Sequence, residues 1–171
     1  MITYFFDKYY LLRDGIDFES QKLSILYQKQ IVCKKGCDSC CENISIFPVE
    51  FYAISNELKN RKDLPEEKFW YKFTNRCKFL KNGECMIYKS RPLICRTQGL
   101  PLLYENSNGT DFELSVCKLN FKTFDFSKFN IDNSLYMSPY NSKLFLLNKE
   151  FIEKEFNNKY KSTDRININK L

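Results

Sequence analysis

Four of the eight cysteines in this chain lie within nine residues, and the chain contains no histidine. The run is Cys33-Lys34-Lys35-Gly36-Cys37-Asp38-Ser39-Cys40-Cys41. Sulfur ligands this close together can converge on a metal at a small cost in chain entropy. The first residues lack the pattern of a secretory signal, so we expect a cytoplasmic protein with reduced thiols. Metal binding is therefore favoured over a disulfide framework.

A second group of cysteines follows at Cys77, Cys85, Cys95 and Cys117. Eight thiols are too many for one four-coordinate ion. Cys40 and Cys41 would point to opposite faces of an extended backbone, and a disulfide between such neighbours is strained. In a turn, however, the pair could reach two metals or two corners of a cluster. The sequence thus predicts two four-thiolate sites or one multinuclear centre, with all eight cysteines as ligands.

Thiolates suit zinc, iron and iron–sulfur clusters, so the predicted cofactor is iron or an iron–sulfur cluster, with zinc as the alternative. Four thiolates around one centre carry excess negative charge, which nearby cations offset. Four cations flank the cysteines in sequence, namely Lys34, Lys35, Arg91 and Arg96. We interpret Arg91 and Arg96 as cofactor-binding residues, because they stand closest to Cys95.

The net charge of +6 is modest, and the basic residues are interleaved with acidic ones along the chain. A nucleic-acid-binding chain would be expected to concentrate arginine and lysine in one stripe, and none is present. No apolar run approaches the roughly 18 residues that a membrane-spanning helix needs. The expected partners are metal ions and, in one of the functional alternatives, a protein.

Apolar spacing predicts a small, mostly helical α+β domain over residues 1–171, with an irregular, metal-stabilised cysteine core over about 33–121. An N-terminal helix is expected over 8–30, with a possible break at Gly15, and a C-terminal helix over 139–160. A second helix is predicted from Pro48 to Lys59, and the tail after Lys161 is predicted to be frayed.

Two shorter elements are also predicted within the cysteine core. Asn82-Gly83 is the strongest hairpin turn signal in the chain and predicts a short hairpin over 78–88. Pro92 predicts the start of a one-turn helix that carries Cys95.

The ordered motifs resemble those of the YkgJ-type cysteine-cluster family, a zinc- or iron-chelating domain also called the CxxCxxCC family. The resemblance covers residues 33–121 and is carried by Cys33-x3-Cys37-x2-Cys40-Cys41, Cys77-Lys78-Phe79-Leu80, Gly83-Glu84-Cys85-Met86-Ile87-Tyr88, Arg91-Pro92-Leu93-Ile94-Cys95-Arg96 and Cys117-Lys118-Leu119-Asn120-Phe121. It implies a metal centre ligated by the eight cysteines and does not choose between zinc and iron.

Three functions remain open at this stage. The first is a metal-binding protein with a redox, sensing or metal-handling role. The second is an iron–sulfur enzyme, either an oxidoreductase component or a relative of a flagellin lysine methylase whose cysteine cluster is similar; a shared cluster does not transfer an activity. The third is a protein-interaction module in which zinc only holds in place the loops that bind a protein partner. The sequence assigns no catalytic residue and no oligomeric state.

Overall fold

The longest helix, α1 (Ile2–Leu26), buries one narrow face along its whole length. In a computed structural model that describes residues 2–64, 75–157 and 159–171, the buried positions include Phe5, Tyr9, Ile16 and Leu23. These side chains recur at helical spacing and pack against two further helices, α2 (Pro48–Leu58) and α4 (Ser138–Phe156). The three helices supply much of the apolar core, and together with the small sheets they confirm a small α+β domain.

Helix α1 differs from the predicted span of 8–30, since it starts earlier and ends at Leu26. It also continues through Gly15, where the ring of Tyr140 lies 3.7 Å from the position a Cβ would take. Leu11 and Phe18 are apolar residues within the predicted span, yet they are 72% and 63% exposed. The buried face includes Ile16 and Leu23 from within the predicted span and extends to Phe5 and Phe6, which precede its start.

The remaining elements are short. The strands are β1 (Ser45–Ile46), β2 (Leu80–Lys81), β3 (Glu84–Cys85), β4 (Leu102–Glu105), β5 (Phe112–Ser115), β6 (Leu135–Tyr136) and β7 (Ile166–Asn167), and a one-turn helix α3 spans Leu93–Arg96. They form an antiparallel pair β1–β7, the hairpin β2–β3 and a three-stranded sheet in the order β5-β4-β6, in which β4 and β6 are parallel.

Three sequence predictions are refined by these bounds. The predicted hairpin forms as β2–β3, and the one-turn helix starts directly after Pro92. The C-terminal helix ends at Phe156 rather than 160, because Asn157 adopts a left-handed conformation that caps it. Residues 65–74, which the predicted 33–121 core includes, lie outside the described residues.

The prediction of a frayed tail is wrong for its final residues. Residues 166–171, here called the C-terminal strap, pair with β1 and continue into a short 3-10 helix. Ile168 and Asn169 are each 1% exposed. The strap is therefore packed against the domain through these two side chains and through its pairing with β1, although its sequence is largely polar.

No helix among the described residues is long and apolar enough to cross a membrane.

Glu50 is a buried carboxyl that joins three helices. Its Oε1 accepts hydrogen bonds from the Tyr9 hydroxyl (3.4 Å) and from the Leu93 backbone N–H (3.1 Å). The second bond satisfies a free N–H at the start of α3, where Pro92 supplies no side-chain cap. Burial raises the pKa of the Glu50 carboxyl to about 7. Glu50 therefore fixes α3, and with it Cys95, against the helical core.

The raised pKa makes the stability of the protein depend on pH. The folded state holds the Glu50 proton more tightly than the unfolded chain does. The contribution of the protonated carboxyl to the free energy of unfolding is therefore fully present below about pH 4.5 and is lost as pH rises through about 7. Glu50→Gln keeps the acceptor oxygen but cannot ionise. We expect the free energy of unfolding of wild type, relative to the variant, to fall by up to about 3 kcal/mol between pH 4.5 and 8. Urea unfolding of both proteins at a series of pH values measures this difference. If the free energies of unfolding of the two proteins changed in parallel with pH, the prediction would be contradicted.

Candidate metal centre

The first cysteine loop, residues 33–41, is folded by two consecutive turns. The Cys37 N–H donates to the Lys34 carbonyl and the Cys41 N–H to the Asp38 carbonyl, both at 2.9 Å. Gly36 has a φ of +93°, in the left-handed region that glycine reaches without strain. Gly36 thus provides the tight turn between Cys33 and Cys37.

The second cysteine loop, residues 77–85, is the β2–β3 hairpin with Cys77 just before it and Cys85 on its return strand. Asn82 and Gly83 both have positive φ values, +51° and +74°, as a type I′ turn requires. The Leu80 N–H donates to the Cys77 carbonyl at 3.1 Å, which fixes the turn that carries this thiol. Local sequence alone thus determines the shape of this loop.

The two cysteine loops pack directly against each other. A Cβ on Gly83 would lie 3.2 Å from the Gly36 Cα, so the backbones approach more closely there than side chains usually permit. The Cys77 N–H donates to the Cys41 carbonyl at 3.2 Å. An exposed salt bridge between Lys35 and Glu84 (2.9 Å) lies beside this contact. The contact brings Cys41 next to Cys77.

Helix α3 carries Cys95, which lines the same cavity as Cys77 and Cys85 of the second loop. Arg91 links the two ends of the segment 88–95. Its Nη1 donates to the Cys95 carbonyl (3.1 Å) and its Nε to the Tyr88 carbonyl (3.1 Å). Its guanidinium also lies over the Tyr88 ring, 3.7 Å from the centroid. The charge of Arg91 opposes the burial that raises the pKa of Cys85 and Cys95. Arg91 therefore lies close enough to these thiols to stabilise their anionic forms.

Arg96, in contrast, bonds to oxygen atoms of the protein. Its side chain pairs with Asp17 of α1 and donates to the Lys89 and Arg91 carbonyls. These bonds brace the 88–96 segment against the first helix. Arg96 lines the same cavity as the cysteines, but its guanidinium is held by oxygen atoms of the chain.

Seven of the eight cysteines line one cavity of about 700 Å³. Its walls come from α1, the two cysteine loops, the 88–100 segment and Ile168 of the C-terminal strap. The eighth, Cys117, lines a neighbouring cavity of about 370 Å³ with Asn120 and Phe121. All eight cysteines are free, and two of them, Cys33 and Cys40, are exposed.

Four thiols form a first set of electrostatic neighbours. Burial raises the pKa of Cys33, and the thiols of Cys37, Cys117 and Cys40 raise it further, while the Asn120 amide opposes them. Burial likewise raises the pKa of Cys40, with the same contributions from Cys37 and Cys117. Cys117 thus belongs with the first loop although it lies far away in sequence. We call Cys33, Cys37, Cys40 and Cys117 the first thiol set.

The other four thiols form a second set. Burial raises the pKa of Cys95 to about 12, and Cys77, Cys85 and Cys41 are the thiols that raise it further. Burial raises the pKa of Cys41 to about 11, with contributions from Cys40, Cys85 and Cys77. We call Cys41, Cys77, Cys85 and Cys95 the second thiol set. The adjacent pair Cys40–Cys41 is the covalent link between the two sets.

Among the described residues, no group of three or more Cys, Asp or Glu side chains lies close enough together to hold a metal ion. The thiol sets are therefore defined by electrostatic neighbours and backbone contacts, not by coordination geometry. The donor chemistry fits a thiolate-bound metal, because sulfur is the one ligand type that both loops present in number. The backbone N–H groups of Phe79 and Ile87 lower the pKa of the Cys77 and Cys85 thiols, respectively, against the larger effect of burial.

Sequence reasoning missed Asn120, a buried residue in contact with the first thiol set. Its Nδ2 lies 3.4 Å from the Cys33 sulfur and donates to the Gly99 carbonyl at 2.7 Å. Its Oδ1 accepts from the Val32 N–H at 2.9 Å. A lone asparagine three residues after a cysteine gives no local signal of this role, since the contact joins segments 87 residues apart.

Residues 32–118, just over half of the chain, match the sequence profile of the CxxCxxCC family, described as a "putative zinc- or iron-chelating domain". No curated protein and no solved structure matches the chain.

Gly99 contacts both Cys33 and Asn120, and a substitution there tests whether their packing matters for metal binding. A Cβ at Gly99 would lie 2.8 Å from the Cys33 sulfur and 3.2 Å from Asn120 Nδ2, at a φ of +93°. We expect Gly99→Ala to displace this sulfur and to weaken metal binding by about 10-fold or more. Metal content after dialysis against a competing chelator measures the change.

Gly109→Ala is the matched control. Gly109 also has a positive φ (+66°), but no atom lies within 4 Å of its would-be Cβ. This variant carries backbone strain of about 1 kcal/mol without the clash. Equal loss of metal in both variants would show that strain, not the contact with Cys33, is responsible.

Proposed function

The chain belongs to the CxxCxxCC family of zinc- or iron-chelating domains, and we propose that its eight cysteines ligate two metal centres, one at each thiol set. The first centre would take Cys33, Cys37, Cys40 and Cys117, and the second Cys41, Cys77, Cys85 and Cys95. The observation that supports this division is that Cys37, Cys40 and Cys117 are the thiol neighbours of Cys33, whereas Cys41, Cys77 and Cys85 are those of Cys95; the two groups meet at the adjacent pair Cys40–Cys41. Four cysteines are the usual complement for one zinc ion or one iron–sulfur cluster.

We propose iron–sulfur clusters as the occupants. The cavity of about 700 Å³ is larger than two single ions require and leaves room for inorganic sulfide. Such clusters supply one-electron chemistry, and hydrogen bonds to their sulfurs tune the reduction potential. The backbone N–H groups that lower the pKa of Cys77 and Cys85, and the charge of Arg91, are suited to this tuning. The proposed role is accordingly redox, sensing or metal handling in the cytoplasm.

Zinc is the alternative occupant, because tetrahedral four-thiolate zinc sites use the same ligands. In that case both centres would be structural, and the protein would act as an interaction module. Analysis of metal and sulfide separates the two possibilities directly.

The deciding experiment is anaerobic purification followed by assays of iron, zinc and acid-labile sulfide, with an absorption spectrum. We expect iron and sulfide in comparable amounts and a broad band near about 400 nm, since thiolate-bound clusters absorb there. Zinc without sulfide would refute the iron–sulfur part and retain the two thiolate centres. Protein that retains neither metal would refute the proposal as a whole.

Single cysteine changes test the division into two centres. We expect Cys40→Ser and Cys85→Ser each to remove about half of the bound metal, because each change affects one set of four ligands. Combining the two changes should remove nearly all of it. Loss of the whole complement in either single variant would favour one multinuclear centre over two.

Metal removal should also destabilise the fold. Binding energy at thiolate sites becomes folding energy when the ligands come from distant loops. We expect a chelator to lower the thermal unfolding midpoint by about 10 °C or more, since about 2–4 kcal/mol would be lost from a domain of this size. An unchanged midpoint in metal-free protein would contradict a stabilising role for either centre.

A further inference from the structure

Among the residues that the structure describes, three asparagines are buried to 2% exposure or less, although asparagine is usually a surface residue. They are Asn120, Asn148 and Asn169. Each uses its amide to satisfy backbone groups from distant segments, which a buried polar side chain must do to avoid a desolvation penalty. Two of the three lie at the thiol sets, and one does not.

Asn169 holds the backbone on both sides of Cys77. Its Oδ1 accepts from the Lys78 N–H at 2.8 Å, and its Nδ2 donates to the Arg76 carbonyl at 3.4 Å. Asn169 belongs to the C-terminal strap, whose pairing with β1 fixes it next to the second cysteine loop. An additional bond from Lys78 Nζ to the Leu171 carbonyl (2.5 Å) ties the end of the strap to the same segment.

Asn120 plays the corresponding part at Cys33. It contacts the sulfur itself and connects the residue before Cys33 to the Gly99 turn. A donor amide beside a sulfur stabilises the anionic ligand form. Asn120 and Asn169 both lie outside residues 32–118, where the family profile matches.

We propose that Asn120 and Asn169 are separate positioning residues, Asn120 for the first thiol set and Asn169 for the second. This inference rests on the proposed two-centre function. Loss of Asn120 releases Cys33 from its donor and from the Gly99 turn. Loss of Asn169 frees the backbone around Cys77, which then no longer presents its thiol beside Cys41. Each centre therefore depends on one buried amide that the other does not use.

Asn148 provides a matched control. It is fully buried in α4, accepts from the Val49 N–H at 3.1 Å and donates to the Ser162 carbonyl at 3.2 Å. Its amide thus performs the same kind of bridging as that of Asn169, away from any cysteine. Asn148→Leu should destabilise the fold in the way that Asn169→Leu does, without a direct effect on either thiol set.

The test is iodoacetamide alkylation of anaerobically purified full-length protein, followed by peptide mass spectrometry and metal analysis. In Asn120→Leu we expect the first thiol set to react about 10–100-fold faster than in wild type, with the second set still protected. In Asn169→Leu we expect the reverse pattern. In Asn148→Leu the reactivity of both sets should stay within about 2-fold of wild type, as expected for a change that touches no ligand.

Aspartate variants separate hydrogen bonding from shape, and they serve where a leucine variant fails to fold. Asn169→Asp keeps the oxygen that accepts from the Lys78 N–H but loses the donor to the Arg76 carbonyl, so the second set should lose part of its protection. Asn120→Asp keeps the acceptor for the Val32 N–H but replaces the donor at the Cys33 sulfur with a negative charge, so the first set should lose protection. A merely structural role, in which shape alone matters, would leave both sets protected in the two aspartate variants.

Each outcome bears on a different claim. Equal deprotection of all eight cysteines in the Asn120, Asn148 and Asn169 variants would overturn the positioning roles, since general destabilisation would then explain the losses. Unchanged protection in the Asn120 and Asn169 variants would overturn them as well. Wild-type protein that holds no metal and protects no cysteine would refute the proposed function, and this inference with it.

Discussion

The close packing of the two cysteine loops is the constraint on which the rest of the site depends. Gly36 and Gly83 meet backbone to backbone, and the Cys77 N–H bonds to the Cys41 carbonyl. A side chain at Gly83 would press on the Gly36 backbone and push the two loops apart, whereas a Cβ at Gly36 would meet no atom within 4 Å. The contact is possible because both glycines have positive φ values, which turn each loop sharply enough to present a bare backbone.

Crowding of the thiols creates an electrostatic cost that the fold offsets only in part. Burial and neighbouring thiols raise the pKa of Cys41 and Cys95 well above the ordinary value, so the anionic form is disfavoured. Arg91 and the backbone N–H groups near Cys77 and Cys85 act in the opposite direction. A bound cation would complete this compensation, and its binding energy would then stabilise the loops that converge on it.

Much of the chain around the site lacks long strands or helices. Hydrogen bonds from side-chain amides and carboxylates therefore satisfy backbone groups that regular secondary structure would otherwise pair. Glu50 caps α3 from within the helical core, while Asn120 and Asn169 join loops to the segments that carry Cys33 and Cys77. Such bonds are strong when fully satisfied and costly when broken, because the groups are buried. The irregular part of the fold is consequently sensitive to single polar substitutions.

The sequence by itself determined the local features: the two cysteine-rich loops, the hairpin at Asn82-Gly83 and the short helix after Pro92. These depend on the backbone preferences of a few adjacent residues. Only the tertiary structure decided which thiols are neighbours, that Cys117 joins the first loop, that α1 buries Phe5 and Tyr9, and that the C-terminal strap is ordered. Those outcomes arise from contacts between segments far apart in the chain, whose energies no local pattern encodes.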